Sequence, residues 1–239
     1  MEGSDTVSWT ALLNRALTRV LGAVDVGDAD EQMRAQQAYG RLRRLVGALA
    51  FLIPPGLVVS GIWVGESLHD SISDYYHVPQ LRNCFVGLLF AVAFFLFGYG
   101  AYSPRDDRLA SIGGAAMIGV ALFPVRVCPT SHYVCAAVLF VVLAVFCLCL
   151  FTRGGKRNAI ERRHIRIYKN CGITILVCIG LIAGYSACRW ANVCTEHSVL
   201  ARLKPVLVLE WIALWAFGLS WSVKGQLYPA IRSLVGARS

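Results

Sequence analysis

The chain has 239 residues, of which 56% are hydrophobic and only 15% are charged, with a mean hydropathy of +0.57. This balance excludes an ordinary soluble domain, in which about a quarter of the residues are charged. The formal net charge of +9 does not indicate a nucleic-acid partner, because the basic residues are distributed by segment rather than collected on one soluble face. The sequence therefore predicts an all-α polytopic membrane protein.

The first 40 residues form a separate region in which apolar side chains recur at helical spacing. This pattern predicts an N-terminal amphipathic helix. Such a helix lies on the cytoplasmic leaflet, or it packs its apolar stripe on the membrane bundle or on a second copy of the chain, and the spacing leaves these alternatives open. The apolar positions are Trp9, Leu12, Leu13, Ala16, Leu17, Val20, Leu21 and Val24.

Six apolar runs follow in a membrane domain that covers residues 41–225, and residues 226–239 are expected to form a cytoplasmic tail. Each run is near the ~20 residues needed to cross a bilayer, so the sequence predicts a six-helix bundle. The first run contains Pro54 and Pro55, which should kink the helix or unwind one turn. The third and fifth runs are the least clearly defined. The runs cover about 44–64, 83–102, 109–127, 133–152, 171–187 and 205–223.

The distribution of basic residues predicts the orientation of the chain in the membrane. If six spans alternate, the basic clusters before the first span, in the second and fourth connections and in the tail all fall on one side. The fourth connection alone carries Arg153, Lys156, Arg157, Arg162, Arg163, Arg166 and Lys169. The opposite side holds only Arg82, Arg126, Arg189, Arg202 and Lys204. We therefore expect an inner-membrane protein with both termini in the cytoplasm.

Nine cysteines are present, and three of them fall on the predicted outer side. Because that side is expected to be oxidising, a disulfide is predicted between two of Cys128, Cys188 and Cys194. The third thiol should stay free.

Ionisable side chains are concentrated between Ile62 and Phe85, beside long apolar runs. Taken as a helical turn, Asp70, Ser73, Asp74 and His77 fall at i, i+3, i+4 and i+7 and share one face. A hydroxyl, two carboxylates and an imidazole would then converge at this place.

Glu210 lies about five residues inside the last apolar run. Intramembrane acids usually face the bundle interior with a partner and mark functional sites. Glu210 should share a stripe with Val206, Leu207, Leu214 and Phe217 and find a cationic or hydrogen-bonding partner. The named candidates on the same side are His77, His132, Arg82, Lys204, Tyr75 and Tyr76. The predicted ligand-binding set is Ser73, Asp74, Tyr76, His77, Arg82, His132 and Glu210.

Three functions remain open for this set. An outward-facing pocket would bind a lipid headgroup or a small solute, with or without transport, and membrane lipids would be its partners. A metal-dependent intramembrane hydrolase would hold zinc with His77, His132 and Glu210, and the metal would activate a water. In a structural or assembly role, Glu210 would only pair with Arg82 or a tyrosine.

Four segments and one histidine resemble those of a known family. They are SISDYYH at 71–77, RNCFVG at 82–87, GVALFP at 119–124, His132, and LEWIALWAFGLSWSVKG at 209–225. Together they resemble a family of uncharacterised bacterial six-span membrane proteins. This resemblance implies the six-span fold and no particular activity. Asn83 stands where similar sequences have an acid. The interval from Ser73 to His77 also resembles that of alkaline-ceramidase-like intramembrane hydrolases, although this chain has Glu210 where those enzymes have a paired histidine motif.

Overall fold

The computed structural model describes residues 29–99, 104–153, 159–192 and 199–236, and within these ranges the chain is helical without strands. The predicted all-α class is confirmed. The predicted N-terminal amphipathic helix lies outside the described residues. The long helices are α1 (Ala29–Trp63), α2 (Pro79–Phe97), α3 (Pro104–Leu122), α4 (Pro129–Val145), α5 (Ala159–Trp190) and α6 (Pro205–Gly236). The short elements are a 3₁₀ helix (Ile72–His77), a π-helical turn that extends α4 (Phe146–Leu150) and a single turn (Val199–Arg202).

Five helices are long and apolar enough to cross a bilayer, which makes this a multi-pass membrane protein. They are Gln37–Trp63, Pro79–Phe97, Pro129–Leu150, Ala159–Trp190 and Pro205–Gly225. Helix α3 is not among them, because its first turns carry Arg105, Asp106, Asp107 and Arg108.

Helix α3 nevertheless runs the full height of the bundle. At its start, the buried carboxylate of Asp106 accepts two hydrogen bonds from Arg153 Nη1, at 2.7 and 2.6 Å, just beyond the end of α4. At its other end, the carbonyl oxygen of Phe123 lies 2.8 Å from His132 Nδ1 at the start of α4. The two ends of α3 are therefore level with the two ends of α4.

Each long helix packs against the next one in the chain, and α6 packs against α1, so the six helices form a closed ring. Glycines permit the closest approaches; for example, a Cβ atom at Gly218 would lie 2.9 Å from the carbonyl oxygen of Gly47. Similar contacts involve Gly114 between α2 and α3, and Gly113 and Gly119 between α3 and α4. In contrast, Cβ atoms at Gly180 and Gly184 of α5 would meet no atom within 4 Å.

One end of the ring, here called the basic end, carries Arg43, Arg153 and Lys224. Beneath it Trp221 is fully buried and packs on the rings of Phe95, Tyr99, Phe146, Phe151 and Phe217. The ammonium of Lys224 is buried and donates a hydrogen bond of 3.3 Å to the carbonyl oxygen of Phe151. Helix α6 continues to Gly236, beyond residue 225, where the membrane domain was predicted to end.

The two prolines of α1 do not unwind the helix, which is continuous from Ala29 to Trp63. Pro55 has no N–H group, so the carbonyl of Phe51 loses its intrahelical donor. The indole N–H of Trp215 on α6 donates to this carbonyl oxygen at 3.1 Å. A side chain from a neighbouring helix thus replaces the missing backbone bond, and the predicted unwound turn is absent.

We expect Trp215→Phe to lower the free energy of unfolding by about 1 kcal/mol more than Trp211→Phe, because only the first change removes a hydrogen bond to a backbone carbonyl. Trp211 is a matched control, since its buried indole N–H has no acceptor among the described residues. Thermal unfolding of the detergent-solubilised protein measures the difference. Equal stabilities of the two variants would mean that the Trp215 bond contributes nothing.

Candidate functional site

The polar stretch after α1 forms a 3₁₀ helix rather than an α-helix. Ser71 is its N-cap, and its Oγ accepts a hydrogen bond of 3.1 Å from the Ser73 N–H. Pro79 follows closely and confines Val78 to an extended conformation, with φ −82° and ψ 111°. The helix therefore ends at His77, and Pro79 begins α2. We call this end of the ring the 3₁₀ end.

The predicted convergence of Asp70, Ser73, Asp74 and His77 on one α-helical face is therefore wrong. Asp70 precedes the 3₁₀ helix, and its side chain is 74% exposed and paired with Lys204. The carbonyl oxygen of Asp70 accepts a hydrogen bond of 2.9 Å from the N–H of Leu207. Asp70 thus fastens the loop to the start of α6, where backbone donors lack intrahelical partners.

The carboxylate of Glu210 holds the 3₁₀ helix against α6. Its Oε2 accepts hydrogen bonds from the Ser71 hydroxyl at 2.8 Å and from the Ile72 N–H at 2.7 Å. The predicted hydrogen-bonding partner of Glu210 is confirmed, although the donors are not the residues named from the sequence. Its predicted stripe is buried in part, since Leu207 and Phe217 are each only 2% exposed, whereas Val206 and Leu214 are half-buried.

Three other predicted site residues make contacts within the 3₁₀ end. Asp74 pairs with Arg126, with 3.1 Å between Oδ1 and Nε. Arg82 donates from Nε to the carbonyl oxygen of Tyr76 at 3.1 Å, and its guanidinium lies 5.1 Å from the centre of the Tyr76 ring. These bonds connect the 3₁₀ helix to α2 and to the loop before α4.

The two histidines of the predicted metal set are not joined to Glu210. His132 is buried with Nδ1 against Phe123, whereas Nε2 of His77 is buried without a hydrogen-bond partner among the described residues. Burial and the nearby Arg126 guanidinium hold the pKa of His77 below its usual value, so its imidazole is neutral near pH 7. No group of three or more His, Cys, Asp or Glu side chains in the described ranges is arranged to hold a metal. The predicted zinc site of His77, His132 and Glu210 is therefore not assembled there.

The predicted disulfide is also absent among the described residues. Cys128 and Cys188 are free thiols, so they are not joined to each other. Cys194, the third candidate, lies outside the described residues.

A cavity of about 70 Å³ lies inside the ring, directly below the 3₁₀ helix. On α6 its wall runs from Glu210 to Phe217, a length of about 10 Å at ~1.5 Å per residue. Ser73 and Glu210 are its polar lining residues. The apolar lining consists of Val46, Ala50, Ile53, Ile72, Phe85, Leu89, Val92, Met117, Val120, Ala136, Leu139, Phe140, Leu143, Leu214 and Phe217.

Of the seven predicted ligand-binding residues, only Ser73 and Glu210 line this cavity. Sequence reasoning missed Ser71, although Ser71 and Asp74 match the S/T-x-x-D/E pattern that marks helix starts. It also missed Arg126 as the partner of Asp74. The apolar walls have no sequence signal, because they come from five long helices and the 3₁₀ helix.

The fold and this cavity define the class: a multi-pass, all-helical membrane protein with a mostly apolar cavity that carries the carboxylate of Glu210 at its end. Comparison with protein-family models, with curated proteins and with solved structures found no match.

Proposed function

We propose that this protein binds an amphiphilic lipid, with part of an apolar chain in the cavity and a hydrogen-bond-donating head group at Glu210. The main observation in support is the cavity itself, which is apolar along its walls and polar only at its 3₁₀ end. An enclosed apolar cavity of about 150 Å³ takes up benzene-sized apolar molecules, so a cavity of about 70 Å³ has room for part of a hydrocarbon chain. Each methylene group transferred from water into such a site contributes about 0.8 kcal/mol. The lining thus favours a hydrocarbon chain over a hydrated solute.

The carboxylate of Glu210 supports the choice of head group. Both of its hydrogen bonds go to Oε2, and Oε1 has no hydrogen-bond partner among the described residues. In the same part of the chain no cationic side chain forms an ion pair with it. Ser73 is the other polar group of the lining. A hydroxyl or ammonium group is the complementary ligand for a carboxylate oxygen in this position.

We also propose six membrane crossings, with the 3₁₀ end outside the cell and both termini in the cytoplasm of the inner membrane. The level ends of α3 and α4 support the sixth crossing. The collection of Arg43, Arg153 and Lys224 at the opposite end supports the orientation. Cysteine labelling from the two sides of the membrane tests this orientation.

Filling the cavity tests the lipid-binding proposal. We expect Ala136→Phe to reduce the lipid retained per protein molecule at least about tenfold, because displacing two methylene groups costs roughly 1.6 kcal/mol. The readout is mass spectrometry of lipids extracted from protein purified in a mild detergent, after extensive washing.

Ala91→Phe is the matched control, since Ala91 is an exposed residue of α2 that lies outside the cavity lining. This variant should retain the same lipid species as the unmodified protein. Unchanged lipid content in Ala136→Phe would contradict the proposal, as would the absence of any retained species from the unmodified protein.

A further inference from the structure

The half of α5 near the 3₁₀ end stands away from the ring. A single stripe of α5, at spacings of three and four residues, faces the bundle. Its first four members are buried, whereas its last three are only half-buried. In order, the stripe consists of Tyr168, Cys171, Ile175, Cys178, Ile182, Tyr185 and Arg189. No residue from 181 to 190 is fully buried.

The stripe of α4 that faces α5 changes in the same way. Near the basic end Ala144 and Cys147 are 0% exposed. One to three turns nearer the 3₁₀ end Phe140 is half-buried, Ala137 is exposed and Tyr133 is 62% exposed. Two facing stripes on two helices are therefore covered in one half of the ring and uncovered in the other. Among the described residues, the region between α4 and α6 is therefore less covered in the half near the 3₁₀ end, and we call this region the α4/α6 crevice.

The cavity lies directly behind this crevice. On its α4 side it is lined by Ala136 and Phe140, and on its α6 side by Glu210 and Leu214, and all four are half-buried. Helix α5, which stands between α4 and α6 in the ring, contributes no lining residue. At the crevice, half-buried side chains of α4 and α6 are thus the wall between cavity and membrane.

The described residues close several other routes. Towards water, the 3₁₀ helix covers the cavity with Ile72 and Ser73 and is held there by Glu210. The side chain of Tyr75 is 1% exposed and packs so tightly on α1 that a Cβ atom at Gly61 would lie 2.6 Å from its ring. The seams between α1 and α6, α2 and α3, and α3 and α4 are closed by the glycine contacts described above. Among the described residues, the seam between α1 and α2, where the lining residues Ile53 and Leu89 are half-buried, has no glycine contact of this kind.

We propose that the α4/α6 crevice is the entrance through which a bilayer lipid passes one chain sideways into the cavity. The ligand is then a membrane lipid of the leaflet around the 3₁₀ end, and not a solute that arrives from water. Its head group remains at the crevice mouth, where Glu210 and Ser73 border the cavity. This inference rests on the proposed lipid binding and adds the source of the ligand.

Substitutions that narrow or widen the α4/α6 crevice test whether the lipid enters through it. A radiolabelled long-chain alkan-1-ol is the probe, because it has one chain and a donating hydroxyl group. The full-length protein in phospholipid nanodiscs is loaded with this probe and mixed with excess acceptor vesicles. We expect Ala137→Trp to slow both loading and release about tenfold while the amount bound at equilibrium is unchanged. Tyr133→Ala should accelerate both steps, and Val138→Trp, on another face of α4, should exchange like the unmodified protein.

The outcomes separate this inference from the proposed function. If Ala137→Trp and Tyr133→Ala both show saturable binding and exchange the probe at the rate of the unmodified protein, the proposed entrance is wrong, whereas the lipid-binding proposal is unaffected. No saturable binding to the unmodified protein would overturn both. A change of oligomeric state in Ala137→Trp without a change of exchange rate would assign the crevice to a second copy of the chain, and so would also overturn the entrance. Because Tyr133→Ala only removes atoms from an exposed side chain, it remains informative if the tryptophan variant fails to fold.

Discussion

Glu210→Ala should lower the free energy of unfolding by about 3–6 kcal/mol. The change removes the common acceptor of the Ser71 hydroxyl and the Ile72 N–H, and hydrogen bonds to a charged group are each worth about 1.5–3 kcal/mol. The 3₁₀ helix would lose its attachment to α6 within the bundle, leaving the bonds of Asp70 to Lys204 and Leu207. Chemical unfolding in detergent measures the loss of stability.

Glu210→Gln separates the structural role of this residue from ligand binding. The glutamine amide keeps an oxygen that accepts from Ser71 and Ile72, so most of the stability should remain. The amide NH2 group then replaces the free carboxylate oxygen with a donor, so lipid retention should be abolished. Ser71→Ala is the matched control, because it removes one of the two bonds and keeps the carboxylate. A stable Glu210→Gln protein with unchanged lipid content would limit Glu210 to a structural role.

Labelling of single cysteines should give an all-or-none difference between the two ends of the ring. In a background with the nine native cysteines replaced by alanine, a cysteine at Gln80 should react with a membrane-impermeant thiol reagent in intact cells. A cysteine at Asn158, in the connection between α4 and α5, should not react until the cells are opened. Gln80 is exposed at the start of α2, beside the 3₁₀ helix, so burial does not prevent its reaction.

The reverse labelling pattern would place the 3₁₀ end in the cytoplasm. If α2, α3 and α4 all cross the membrane, three crossings separate residues 80 and 158, which then lie on opposite sides. Labelling of both positions in intact cells would mean that α3 does not cross. The test therefore decides the number of spans and the orientation together.

The sequence alone was sufficient for the features that depend on local composition. Long apolar runs predicted the helices, because a segment without charges is stable in a bilayer only when its backbone bonds are satisfied internally. The isolated position of Glu210 within such a run predicted that it would be inside and hydrogen-bonded, because an unpaired carboxylate in hydrocarbon is too costly. The span of α3 was less clear, since its first turns are charged and its apolar part is rich in small residues.

Only the tertiary structure decided which groups meet. Glu210 accepts hydrogen bonds from Ser71 and Ile72, at the start of the 3₁₀ helix, which are 139 and 138 residues away in the chain. The indole of Trp215 replaces a backbone donor of α1 across a similar separation. The cavity and the crevice arise where helices are not in contact. The sequence does not reveal such places, because residues such as Ala137 are apolar whether they face lipid, protein or empty space.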